Sequence, residues 1–261
     1  MEKVLPILLS AGMGTRLSND SNKIPKSLIK LHGKPLIFFQ LDKLQEIGCE
    51  EVLIVVGYQA KKLQSAVGDI YQNMKITYVF NEEYESSGTA LSFYKARDSW
   101  QKIGGAVLML HGDIFYDTTI LNQLLKNLNT NILITDYGYE NLTNDEMVVF
   151  ANEQSVLKVV KGPLDLQNSI GESLGINFFT NEFCQAYFAY LAKFLMDVKN
   201  KKFHWEQTIE GFLDSHDYLQ LSHLGIDSKQ WININYPGDL DYAVKNIYSK
   251  LYNKNLDLTK P

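Results

Sequence analysis

Apolar positions along this 261-residue chain follow two rhythms. From Val4 to Leu9, Glu51 to Val56, Lys75 to Phe80 and Ala106 to Leu110 they run almost unbroken, as in strands buried on both faces. Between the first two runs, Leu36, Ile37, Leu41, Leu44 and Ile47 recur at helical spacing. Pro35 can open that helix, because its fixed φ suits a first turn, and Gly48 stops it. Gly88 to Trp100 and Thr118 to Leu128 read as further helices, and Asn131 to Thr135 as another strand. Strands alternating with helices predict a doubly wound, mostly parallel α/β sheet with helices on both faces.

After Tyr137 the rhythm changes. Met147 to Ala151 and Val156 to Val160 flank a polar turn, Asn152 to Ser155, which predicts an antiparallel hairpin. Gly175 to Phe179 reads as a strand. Thr180 to Val198, Trp205 to Asp214 and Pro237 to Tyr252 read as helices. No repeat, low-complexity stretch or linker interrupts the sequence. The expectation is a single domain over residues 1–261, Rossmann-like in its sheet, with residues 137–261 as a smaller antiparallel and helical lobe. Open sheets of this kind bind ligands beyond the carboxyl ends of their strands. That rule gathers Ser10-Ala11-Gly12, Gly57, His111-Gly112-Asp113 and Asn235 around one crevice.

Composition narrows the partners. The chain is 45% hydrophobic and 21% charged, as in an ordinary globular domain. Its net charge of -5 leaves no basic surplus for nucleic-acid phosphates. Glu2 and Lys3 precede a short apolar run unlike a signal peptide, and no run reaches membrane-spanning length. Neither nucleic acid nor membrane is therefore expected as a partner. Cys49 and Cys184 are too few for a disulfide framework or a structural zinc site, which fits a reducing cytoplasm.

The chemistry concentrates in the turn after the first strand. In a dinucleotide fingerprint a third glycine follows G-x-G, and the next strand ends in an acid. Here Gly12-Met13-Gly14-Thr15-Arg16-Leu17 puts leucine in the third place, and the next strand ends in Gly57-Tyr58. No Walker pattern is present either. A nucleoside triphosphate about to be cleaved suits the turn better. Gly12 and Gly14 let the backbone approach phosphate oxygens, Arg16 offers a planar fork of donors, and Pro25 stiffens the loop that returns with Lys26. The structural alternative is a plain strand-to-helix turn carrying two surface cations.

With those residues in view, "LLSAGMGTRL…PKSLIKLHGKPLI" resembles the signature of the sugar-phosphate and alcohol-phosphate nucleotidyltransferases. The likeness continues in order. "NEEYESSGTALSF" resembles their base-recognition segment, and "MLHGDIFYD" the strand ending in a metal-binding aspartate. "LKVVKG" resembles the strand with a phosphate-contacting lysine, "GESLGINFF" the acceptor strand, and "WININYPGDLDYAV" the closing motif. Compact length and "HWEQTIEGFL" are most similar to the phosphocholine-type cytidylyltransferases, whereas "SSGTA" leans toward the hexose-1-phosphate enzymes.

The resemblance implies nucleotidyl transfer from a triphosphate, CTP or else UTP or dTTP, to a small phosphorylated acceptor. Residues 1–136 would bind nucleotide and 137–261 acceptor. Leu9, Ser10, Ala11, Gly12, Gly14, Thr15, Asn81, Gly88 and Thr89 would hold the nucleotide. Arg16, Lys26 and Lys161 would neutralise phosphate charge, and Asp113 with Asn235 would hold Mg2+. Where the cytidylyltransferases carry Glu and Asp, this chain has Asn233 and Asn235; the Asn235 side-chain carbonyl can still coordinate, without charge. Glu172, Ser173, Trp205 and Glu206 would face the acceptor, with Trp205 and Glu206 suited to a cationic head group. A homo-oligomer and a catalytically inactive nucleotide-binding protein are left open.

Overall fold

The computed structural model describes residues 3–14, 16–17, 24–138, 145–162, 167–226 and 228–252. Strand β1 (Val4–Ser10) leads through the glycine turn to a 3-10 turn at Lys26–Leu28 and a small hairpin, β2 (Lys30–Leu31) with β3 (Lys34–Pro35). Then come α1 (Leu36–Glu46), β4 (Glu51–Val56), α2 (Ala60–Val67), β5 (Ile70–Tyr71) and β6 (Met74–Phe80). Next are α3 (Thr89–Lys95), α4 (Arg97–Ile103), β7 (Ala106–His111), β8 (Ile114–Tyr116), α5 (Thr118–Leu124) and β9 (Ile132–Asp136). The later half holds β10 (Met147–Ala151), β11 (Val156–Lys161), β12 (Ser169–Phe179), α6 (Asn181–Phe194), α7 (Ile209–Asp214), β13 (Ser222–Ile226) and β14 (Trp231–Asn233). It closes with α8 (Pro237–Tyr242), a π-helical stretch and α9 (Ser249–Tyr252).

One 10-stranded sheet organises the chain, in the order β11-β10-β12-β7-β1-β4-β6-β5, with β9 joining β12 to β13. β7, β1, β4 and β6 are parallel, and their register brings Leu9 beside His111 and Ser10 beside Val56. In β1 the side chains alternate between two cores. Leu5, Ile7 and Leu9 face one, and Leu8 faces the other with Leu108 and Ile54. That two-sided burial is why β1, β4 and β7 read as unbroken apolar runs.

The expected antiparallel lobe is present as a continuation of the same sheet. β12 is 11 residues long and pairs antiparallel with β7 through Ile176–Phe179 and with β10 through Ser169, Gly171 and Glu172. Midway, Gly175 takes a φ of +74°, and the register on β9 shifts there. A Cβ at Gly175 would lie 2.7 Å from the His111 ring. The bulge therefore exists only with glycine, and it brings β12 against the end of β7.

Three helices depart from expectation. α2 was not foreseen, because Leu63 and Val67 are the only residues buried on it, a single i, i+4 pair in a polar stretch. The helix expected over Gly88 to Trp100 divides at Ala96 into α3 and α4. The helix expected from Trp205 starts as a 3-10 turn, Glu206–Thr208, before α7.

The start of α3 is fastened to the later half through the backbone. Gly88 N–H donates to the Lys201 carbonyl at 2.8 Å, and Ala90 N–H to the Phe203 carbonyl at 3.2 Å. A Cβ at Gly88 would lie 2.1 Å from the Phe203 oxygen. Gly88→Ala is therefore expected to cost about 1–3 kcal/mol, the usual cost of overpacking a rigid contact. Urea unfolding measures it; an unchanged midpoint would mean that the Lys202–Phe203 backbone gives way freely.

Candidate active site

The carboxyl ends of β1 and β7, with Glu172, Ser173 and Leu174 of β12, open on a cleft of about 330 Å3. At one end stands Lys26. Pro25, extended with ψ 138°, sends the chain into the 3-10 turn that aims Lys26 inward. Its Nζ donates to Asp113 Oδ2 at 2.5 Å and to Asn235 Oδ1 at 2.7 Å. Asp113 sits just past β7, after Gly112, where a Cβ would lie 2.1 Å from Ser10 Oγ. Asn235 is fixed from behind. Its N–H and that of Tyr236 both donate to Asp239 Oδ2 at 2.7 Å, and Ile234 N–H donates to the Asp113 carbonyl at 2.9 Å. Burial works to raise the Asp113 carboxyl, but the Lys26 charge, His111 and hydrogen bonds outweigh it and hold it below its ordinary value.

Two oxygens, one of them anionic, thus converge on one cationic atom. A magnesium ion typically asks for one or two protein carboxylates with oxygens from substrate phosphates, and the donor set fits that need. Among the described residues no cluster of three His, Cys, Asp or Glu suits a metal, so any ion here would rely on Asp113, the neutral Asn235 and its substrate.

At the mouth, Arg16 Nη1 donates to Asp145 Oδ2 at 2.5 Å. Tyr236 Oη donates to the same carboxylate at 3.2 Å, and Lys161 Nζ lies 3.7 Å from Asp145 Oδ1. All three cations read from the sequence therefore reach one cleft, and each meets a carboxylate there.

The opposite end is polar and closely held. Trp205 Nε1–H donates to His111 Nε2 at 3.1 Å, which leaves a neutral His111 its proton on Nδ1. Glu206 Oε1 lies 3.6 Å from the same Nε2, and burial pushes the Glu206 carboxyl up. Burial, with Glu146 and Asp136 nearby, lifts Glu172 to about 8. Burial, then the charges of His111 and Lys161, lowers His204 to about 4. Near neutral pH, Glu172 and His204 are thus uncharged in the main. Ser10 Oγ, Ser27 Oγ, Ser173 Oγ, Glu206 Oε2 and Asn233 Oδ1 line this cleft without a hydrogen-bond partner among the described residues.

Of the residues singled out in the sequence, Leu9, Ser10, Gly12, Gly14, Arg16, Lys26, Thr89, Asp113, Lys161, Glu172, Ser173, Glu206 and Asn235 line the cleft. Thr15 lies outside the described residues. Ala11 is buried behind the turn, its carbonyl accepting from Tyr58 N–H at 3.0 Å.

Three placements correct the sequence reading. Asn81 is fully buried and spends its amide within the protein, donating to Ser87 and Ser92 Oγ and accepting from Glu83 N–H. Gly88 admits the Phe203 carbonyl rather than a base. Trp205, expected to offer a ring to a cationic acceptor, is fully buried against Phe179 at 5.8 Å and shows its indole N–H to His111. Residue type does not reveal these placements; contacts distant in sequence decide them. Asp145, Glu146 and His204 also line the cleft and were not foreseen, because no motif marks the polar segment before β10 or the turn before Trp205. His111, placed at the crevice by the strand-end rule, lines the cleft and also accepts from the buried Trp205 indole.

A model of the family described as "Nucleotidyl transferase" matches residues 5–219. The chain is similar to the choline-phosphate cytidylyltransferase of Streptococcus pneumoniae, at 23% identity over 78% of this chain and 82% of that protein. It is 31% identical over 121 residues to the CMP-5'-(3-aminopropyl)phosphonate synthase of Streptomyces rubellomurinus, covering 46% of this chain and 19% of that longer protein. Among solved structures, the CTP:phosphocholine cytidylyltransferase from Streptococcus pneumoniae superposes with a TM-score of 0.67 at 21% identity, covering 92% and 96% of the two chains. The inositol-1-phosphate CTP transferase from T. maritima superposes with a TM-score of 0.74 at 17% identity, covering 93% and 97%. These likenesses show the shared α/β fold.

The Glu172 shift has a stability consequence. Between the ordinary value of 4.5 and about 8, the folded protein keeps the proton that the unfolded chain has released. Stability is then lost as pH rises through that window. Relative to Glu172→Gln, the natural protein is expected to lose about 1–2 kcal/mol between pH 5 and 8.5, allowing for partial solvent contact. Urea unfolding at the two pH values checks this, and a constant difference would contradict it.

Proposed function

The chain belongs to the nucleotidyl transferase family, and we propose that it joins the nucleoside monophosphate of CTP to a small phospho-alcohol or phosphonate, releasing pyrophosphate. The observation that carries this is the convergence of Arg16, Lys26 and Lys161 on one cleft whose far end holds buried polar groups without partners. A phosphate oxygen of the acceptor attacks the α-phosphorus, and the bond from that phosphorus to the bridging oxygen of pyrophosphate breaks. Phosphate oxygens are ionised near neutral pH, so the step needs no general base. It needs two polyanions held together, which positioned cations supply.

In this reading Arg16 and Lys26 serve the triphosphate and Lys161 serves the acceptor phosphate. Asp113 and Asn235 would hold magnesium, which when bound neutralises charge on phosphate oxygens. Gly12 leaves open space beside its backbone, where a phosphate or ribose can approach the turn. The nucleotide choice leans on similarity to two cytidylyltransferases.

One observation favours a second reading, a sugar 1-phosphate with UTP or dTTP. Trp205 is buried, so the ring expected to meet a cation is withdrawn. Unpartnered Ser173 and Glu206 atoms, with a neutral His204, suit hydroxyl groups instead. The deciding experiment crosses the four NTPs with phospho-alcohols, phosphonates and sugar 1-phosphates and follows pyrophosphate release. Release with CTP and a phospho-alcohol or phosphonate supports the first reading, and release with UTP or dTTP and a sugar phosphate supports the second. No release with any pair would favour a nucleotide-binding protein without turnover.

Two further outcomes are expected. Asn235→Asp should tighten magnesium binding and Asp113→Asn should weaken it, because each changes the charge facing one cation site; titration calorimetry reads both. Lys161→Ala should raise the acceptor KM about tenfold or more while leaving the nucleotide KM nearly unchanged, as loss of one charge-assisted contact implies. A rise confined to the nucleotide KM would reverse the assignment of Lys161.

A further inference from the structure

We propose that Asp145 is a placeholder in this cleft: its carboxylate holds the place of substrate phosphate on Arg16 and Lys161, so a ligand must outcompete it to bind. The proposal deepens the phosphate-transfer reading of the site and rests on it. Asp145 lies between a cation brought by the glycine turn, Arg16, and one brought by the end of β11, Lys161. Those segments are 145 residues apart in the chain, and one carboxylate spans them with an oxygen toward each.

The grip is of a kind that a phosphate can replace. Arg16 is engaged through a single nitrogen, although its guanidinium offers a fork that matches phosphate with two parallel bonds. Lys161 lies at 3.7 Å, outside hydrogen-bond reach. Both Arg16 and Asp145 side chains are more than a third exposed, so water screens their attraction and assists exchange. The Lys26–Asp113 contact differs, with side chains 14% and 27% exposed and a second bond to Asn235.

A ligand with one phosphate can take one cation while Asp145 keeps the other. A ligand with two linked phosphates can take both and release Asp145 altogether. Asp145 thus sets a threshold: displacing both of its contacts demands a ligand that gains both cations in return.

The test is titration calorimetry of the full chain with inorganic pyrophosphate and, separately, orthophosphate, without magnesium. Asp145→Asn keeps the shape and removes the charge. Its affinity for pyrophosphate should rise about five- to tenfold, the release expected when a pair of exposed ion contacts stops competing. Orthophosphate, which displaces one contact and leaves the other, should gain less. Glu146→Gln removes the same charge one residue away and should gain less than about twofold, which separates direct exchange at Asp145 from a general change in cleft charge. Unchanged or weaker pyrophosphate binding in Asp145→Asn, an equal gain in Glu146→Gln, or no pyrophosphate binding by any form would overturn the proposal. Because this is an equilibrium measurement, it stands apart from turnover. A gain in Asp145→Asn with no pyrophosphate release in the substrate panel would uphold the inference while the transfer reading fails.

Discussion

Three stretches far apart in the chain meet at the ammonium group of Lys26. The glycine turn returns it, the end of β7 supplies Asp113, and the segment before α8 supplies Asn235. Such a half-buried pair adds little net stability, because desolvation offsets attraction; breaking it by removing one partner is what costs. Its value lies in register. Pro25 sets the angle of approach, Gly112 lets β7 close on Ser10, and Asp239 clamps the backbone of Asn235. Displacing any one of these shifts the others, because they share one cation.

The same economy runs through the whole cleft. Lys26 faces Asp113, while Arg16 and Lys161 share Asp145. Cations that would repel one another in an empty cleft are held in place by carboxylates, already oriented toward the centre. For a reaction that joins two polyanions, such preorganisation is the main catalytic resource of a protein. An anion entering the cleft would meet cations already oriented, instead of three flexible side chains to be ordered from solution.

Much of this was legible in the sequence, for identifiable reasons. β1, β4 and β7 announce themselves because strands buried on both faces need unbroken apolar runs. The glycine turn with Arg16 and Lys26 is legible because close backbone approach and fixed cations leave few residue choices. α2 was hidden because its outer face is polar and only Leu63 and Val67 are buried. β13 was hidden because Ser222-His223-Leu224-Gly225-Ile226 borrows its place from pairing with β9. Asp145 was hidden because the pairing of β10 with β11 and β12, which places it, is not written locally. Trp205 shows the reverse limit: an aromatic beside a carboxylate reads alike whether it lines a pocket or supports one from behind.

The backbone bonds from Gly88 to the Lys201 carbonyl and from Ala90 to the Phe203 carbonyl make the start of α3 and the segment before α7 one piece. Thr89 Oγ1 accepts from Trp205 N–H at 3.0 Å, so the side chains repeat what the backbone states. The two segments are therefore not interchangeable modules. Grafting a relative's 198–208 segment would also re-seat the first turn of α3, and compensating changes should gather at that seam.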